Sequence, residues 1–145
     1  MGHLKKKVRK GSRSYSILQG KEKYCYVTGR TEGLDKHHIY HGPGWRDISD
    51  RHGFWVYLWQ PLHLAGLGGL HKYPNTGLDL KLKQDCQRRF EEIRIEQSNL
   101  LDVEAAAAEA RKEFMKIIGR NYLGEGYPYL YADNDGFYLL EEEEQ

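Results

Sequence analysis

Cysteine is scarce in this sequence, long apolar runs are missing, and asparagine is absent from the stretch where the histidines gather. Two cysteines, Cys25 and Cys86, are too few for a disulfide framework and read as free thiols. No apolar run approaches the roughly 20 residues that a membrane span needs, so no membrane partner is expected. The N-terminus is basic with no apolar segment behind it, unlike a secretory signal, and a cytoplasmic location is the expectation. With 145 residues, 39% of them hydrophobic, the chain has material for about one domain with a modest core.

What the chain does have is charge in blocks. Residues 1–72 carry 13 Lys and Arg against 5 Asp and Glu, and residues 73–145 carry 9 against 16. A net +8 and a net −7 therefore lie behind the overall +1. A basic half beside an acidic half gives one face suited to a polyanion and another that is not.

Residues 1–16 read as a basic, flexible arm. Lys5, Lys6, Lys7, Arg9, Lys10 and Arg13 supply charge that suits non-specific phosphate contact. Strand composition predicts strands over 23–28, over 35–41 and, most clearly, over 54–59, with a short helical turn over 45–52. A helix or turn is expected at His63. Apolar residues at 78, 82, 86, 90 and 93 predict an amphipathic helix over 78–95, with a weak capping signal from Thr76 and Asp79. Residues 102–118, rich in alanine and closed by Gly119, predict another. Residues 121–140 suggest an irregular hairpin, and 141–144 a disordered acidic end. The sum is an α+β fold divided as an arm over 1–16, a domain with its helices over 17–123, and a Tyr/Gly-rich tail over 124–145.

Six of the seven histidines fall between positions 37 and 71. Imidazole is the commonest metal-binding side chain, and here it recurs at strand–loop–strand spacing. Neighbours on a strand face opposite sides, so His37 and His38 cannot both point at one ion from a regular strand. One can bind metal while the other addresses a water nearby. That division suits phosphodiester hydrolysis, which needs a base for the water and a cation for the developing charge. A neutral histidine with a pKa near ~6.5 serves as base at physiological pH.

The residues Tyr24-Cys25-Tyr26-Val27-Thr28-Gly29, Lys36-His37-His38-Ile39-Tyr40 with Gly42, Ser49-Asp50 before Gly53, Val56-Tyr57-Leu58, His63 and His71 form an ordered set. The stretches 78–83 and 114–123 continue it. In this set the chain resembles the HNH endonuclease superfamily, and within it small phage nucleases similar to the RecA-dependent recombination-enhancement nucleases. The resemblance implies a small ββα-metal (His-Me finger) core with short antiparallel strands and two additional C-terminal helices. It implies a DNA endonuclease in phage recombination or DNA processing, in the cytoplasm of a bacterial host, with a RecA-like filament as a possible partner. Carried over by position, His38 is the general base, and His37, His63 and His71 are metal ligands. One divalent cation is implied, Mg²⁺ or Mn²⁺ before Zn²⁺, with a 5′-phosphate product. Lys5, Lys6, Lys7, Arg9, Lys10 and Arg46 are the expected DNA contacts.

Two departures stand out. The middle Asn of the motif has no counterpart between His38 and His63, since the first Asn is Asn75. Asp47, Ser49, Asp50 or a backbone carbonyl are the open substitutes. Some relatives hold a structural zinc with two cysteine pairs, whereas the corresponding positions here are Cys25 and Thr28, then Trp59 and Leu62. One thiol cannot hold such a zinc, and packing by Tyr26, Trp55 and Trp59 is the expected replacement. His41 and His52 read as surface residues rather than ligands, and Arg88 and Arg89 as a solvated helix face. Trp45 packs a loop or meets a nucleotide. Tyr127, Tyr129, Tyr131 and Tyr138 are expected to pack the tail. An inactive adaptor with the same fold, binding DNA or protein, is the competing reading, and a closed zinc-binding structural module a third.

Overall fold

A computed structural model describes residues 15–63, 70 and 73–131. The arm residues Lys5, Lys6, Lys7, Arg9 and Lys10, the histidine at 71, and residues 132–145 lie outside the described residues. The architecture is α+β. Strand β1 (Leu34–His38) is followed by helix α1 (Trp45–His52), strand β2 (Trp55–Trp59), the single turn α2 (Gln60–His63), and the long helices α3 (Gly77–Glu96) and α4 (Val103–Ile118). Among the described residues a short 3-10 turn, Pro128–Tyr131, comes last. The chain divides into two compact units, Met1–Cys86 and Gln87–Gln145.

In the first unit β1 and β2 pair antiparallel, with Lys36 opposite Tyr57, His37 opposite Val56 and His38 opposite Trp55. β-branched and aromatic residues make β2 a strong strand, and Gly53, at φ 76°, ends α1 just before it. The pairing runs on past β1, where the Ile39 N–H donates to Phe54 O at 2.9 Å. Ile39, Phe54, Val56 and Leu58 are fully buried. Each contributes about 1.5–3 kcal/mol by leaving water, which fixes the strand register. Ser49 ties α1 to the strand end: its hydroxyl donates to Tyr40 O at 2.8 Å and accepts from Tyr40 N at 3.2 Å.

Residues 23–28 are not a strand. The Cys25 N–H donates to Arg30 O, the Gly29 N–H returns to Cys25 O, and Thr28 N reaches the Cys25 sulfur at 3.3 Å. Gly29, at φ 80°, permits this tight reversal. The backbone bonds close the loop on itself, and Tyr26 N reaches Tyr57 O on β2. Gln19 completes the cover of that strand edge by accepting from Tyr57 N at 2.8 Å. Both cysteines are free and buried. Trp55 is buried, and the Arg30 guanidinium lies 4.0 Å from the Trp59 ring centre. β1 also stops at His38 rather than 41, because the chain turns at Gly42, φ 105°, and Gly44, φ 85°.

In the second unit Phe90 and Phe114 pack with ring centres 5.6 Å apart. Asp102 caps α4 by accepting from Glu104 N, and Gly119 closes it. The described part of the tail is a 3-10 turn rather than a hairpin. Its Tyr129 is buried, its hydroxyl donating to Glu91. Arg89 meets Glu92 and Glu96 on its own helix, as a solvated face does.

Candidate active site

β1 carries His37 and His38 to opposite sides, as strand alternation requires. His37 is 1% exposed, whereas His38 keeps access to solvent. Just after the strand, His41 comes within 5.7 Å of His37, ring centre to ring centre. α2, continuing directly from β2, places His63 5.0 Å from His37 in an edge-on arrangement. Lys36, His37, His38, His41, Gly42, Arg46 and His63 line one open cleft of about 410 Å³.

Each outer histidine of the cleft leans on a carboxylate. His38 Nε2 lies 2.8 Å from Asp50 Oδ1, supplied by the last turn of α1. His63 Nδ1 lies 3.1 Å from Asp35 Oδ2, two residues before His37 on β1. His41 Nε2 lies 3.3 Å from Asp79 Oδ1. A carboxylate accepts the N–H of a neutral imidazole and so sets its tautomer. His38 therefore presents Nδ1 as its basic nitrogen, His63 presents Nε2, and His41 presents Nδ1.

The charges around His38 act in opposite directions. Burial of its ring lowers the pKa below the ordinary imidazole value and outweighs the hydrogen bond and charge of Asp50, which act upward; Lys36 and Arg46 add to the lowering. For Asp50, burial acts upward, but the hydrogen bonds from His38 and Lys36 prevail and hold the carboxyl below its usual range. The pair is thus a neutral imidazole beside an ionised carboxylate at neutral pH, the protonation that a base requires. Lys36 Nζ also reaches Asp50 Oδ1, at 3.2 Å, and lies 4.4 Å from the Trp55 ring centre.

Among the described residues no three His, Cys, Asp or Glu side chains are already gathered as a group able to hold a metal ion. The donor chemistry nevertheless fits a divalent cation. A buried imidazole, His37, faces a second, His63, whose orientation a carboxylate fixes.

Of the residues expected from sequence, His37, His38, His63 and Arg46 come together around the cleft. His63 lies in α2, which starts three residues earlier, at Gln60. His52 stacks on Phe54, with ring centres 5.2 Å apart, and is not among the cleft residues. His41, read as a surface residue, is a cleft residue instead, because the Gly42 turn folds it back beside His37. Its spacing of four from His37 and the acid at 79 were the available signals, but nothing local in the sequence joins positions 41 and 79. Of the four candidates for the missing Asn, Asp50 is the one hydrogen bonded to His38, while Ser49 serves the backbone of Tyr40.

No helix among the described residues is long and apolar enough to cross a membrane. Compared with protein-family models, with curated proteins and with solved structures, the chain finds no match.

Proposed function

We propose that this protein is a metal-dependent DNA endonuclease with a ββα-metal core of the HNH type, which its sequence motifs resemble. The observation that carries the reading is the His38–Asp50 pair at 2.8 Å, opening on the same cleft as three further histidines and two cations. A histidine kept neutral and oriented by a carboxylate is equipped to take a proton. A cleft lined by Lys36 and Arg46 offers cations to a phosphodiester.

In this reading a phosphodiester lies in the cleft with Arg46 and Lys36 at its non-bridging oxygens. Arg46 suits this because its guanidinium binds phosphate through two N–H groups at once. His38 Nδ1 takes a proton from water as the oxygen attacks phosphorus, and the 3′ oxygen leaves. Asp50 holds the imidazole in the productive tautomer and stabilises the imidazolium that forms. His37 and His63 would hold the cation, which when bound neutralises the charge that develops on the phosphate and leaving oxygen. The basic arm contributes affinity along the DNA backbone.

The test is incubation of the purified protein with supercoiled, linear and single-stranded DNA in Mg²⁺, Mn²⁺ or EDTA, with and without a RecA-like filament. Nicking that requires metal and that His38→Ala loses is the expected result. An intact protein that binds DNA yet cuts none of these forms, with any metal or with the filament, would instead be the inactive adaptor.

A further inference from the structure

We infer that His41, backed by the buried carboxylate of Asp79, is a third ligand of the same cation. The inference rests on the nuclease reading, to which it adds a ligand that the sequence motifs do not assign.

Three independent observations converge on His41. The first is its distance from the buried imidazole. Rings that share an ion at about 2.0–2.1 Å in tetrahedral array hold their centres about 5 Å apart. The centres of His37 and His63 are 5.0 Å apart and those of His37 and His41 5.7 Å apart. The second is shared access, since all three side chains line one cleft.

The third is the support behind the ring. Asp79 is 1% exposed. Its other contacts come from Lys83 Nζ at 2.9 Å and from the Asn75 backbone N–H, so its position is fixed before any ligand arrives. Lys83 is itself buried and hydrogen bonded to the Asn75 side chain. A buried carboxylate that accepts Nε2–H leaves Nδ1 as the coordinating nitrogen, the usual arrangement behind metal-bound histidine. A surface histidine needs no such support. Asp35 stands behind His63 in the same way, through the opposite ring nitrogen.

The donor atoms do not yet close on one point, so coordination turns the rings within the cleft. Three imidazoles leave coordination positions open for substrate, as a catalytic site requires and a closed structural site does not.

Cobalt(II) serves as the probe, because its visible absorption reports the number and type of its ligands without any turnover. Binding is measured by calorimetry and absorption for the intact protein and for His41→Ala, His41→Cys and His52→Ala, with thermal melts of each metal-free protein. His41→Ala is expected to weaken cobalt at least about tenfold, the lower end of what even outer partners of a ligand cost. His52→Ala is expected to bind as the intact protein does. His41→Cys is expected to add a near-ultraviolet sulfur-to-cobalt charge-transfer band that the intact protein lacks, which only direct ligation produces. Full affinity in His41→Ala, or a His41→Cys protein that binds cobalt without the new band, overturns the inference and leaves the His37–His63 site standing. An intact protein that binds no cobalt overturns both.

Discussion

His38 Nε2 and Asp50 Oδ1 are 2.8 Å apart, although one residue sits at the end of a strand and the other in the last turn of the helix that follows. The distance is set by α1, which Ser49 ties to Tyr40 O while Gly53 turns the chain into β2. The contact between His38 and Asp50 is thus a product of the connection between the two strands.

In the nuclease reading, removing His38 and removing Asp50 are expected to have different consequences. His38→Ala is expected to lower the single-turnover cleavage rate by about 10²–10⁴-fold, the usual worth of general-base catalysis, while metal affinity holds. Asp50→Asn keeps the shape of the site but not the charge, and is expected to give a smaller loss. Equal cleavage by the His38→Ala and intact proteins would remove His38 from the mechanism.

The pH profile separates Asp50 as an orienting group from Asp50 as a structural one. Burial, with Lys36 and Arg46 adding to it, holds the His38 pKa below the ordinary imidazole value. Cleavage is therefore expected to be fully developed at neutral pH and to fall on acidification, with its midpoint on the acid side of that value. Asp50 acts in the opposite sense, raising the pKa. Asp50→Asn should accordingly move the acid limb to still lower pH. An unmoved limb would mean that the carboxylate does not act on the titrating group.

Much of this architecture was legible in the sequence. The aromatic and β-branched run around Trp55–Trp59 gave β2, and the apolar spacing of Leu82, Cys86 and Phe90 gave α3. Residues 23–28 misled because their strand composition is overruled by local hydrogen bonding around Cys25 and Gly29. The polar interior of α3 was also invisible. Asp79, Lys83, Asp85, Gln87 and Glu91 are buried, and their partners come from distant positions such as His41, Tyr26 and Arg111. Hydrophobic periodicity finds apolar faces, whereas charges buried in pairs carry no such pattern. His41 was missed for the same reason, since its meaning depends on Asp79.

His37→Ala and His63→Ala are expected to act through the metal. Each should raise the metal concentration needed for half-maximal cleavage, with activity partly restored by excess Mn²⁺. His38→Ala should show no such rescue. Titrating metal in a nicking assay beside calorimetry distinguishes the two patterns. If excess metal restores none of the activity of His37→Ala or His63→Ala, their role lies elsewhere.

The arm should add affinity rather than chemistry. Each phosphate contact steepens the salt dependence of DNA binding by about one unit of slope. Deleting residues 1–13 is expected to weaken binding mainly at low salt and to flatten that slope. Loss of cleavage with binding unchanged would give the arm a catalytic part.

The second unit is built around a buried charge, and its stability should depend on that charge being matched. Glu91 is fully buried and accepts from Arg111 Nε at 2.7 Å and from Arg111 Nη2 at 3.1 Å. The Tyr129 hydroxyl donates to the same carboxylate, and burial together with the Glu91 bond and charge pushes the Tyr129 pKa well up. Gln87 Nε2 adds a further bond to Glu91 at 2.9 Å. Arg111 also donates to Gly124 O at 3.0 Å, so the same guanidinium holds the turn after α4. Arg111→Met leaves the carboxylate buried without its counter-charge, a change that typically costs about 3–5 kcal/mol. With a urea slope of about 1–3 kcal/mol per M, the unfolding midpoint should fall by at least about 1 M. Tyr129→Phe removes one donor to a charged group and should cost less, about 1.5–3 kcal/mol. Replacing both charges together, as Glu91→Leu with Arg111→Met, should recover part of the loss, because no charge then stays buried. If the double variant were as unstable as the two single losses added, the two charges would not be coupled and the account of Glu91 as a buried charge matched by Arg111 would fail.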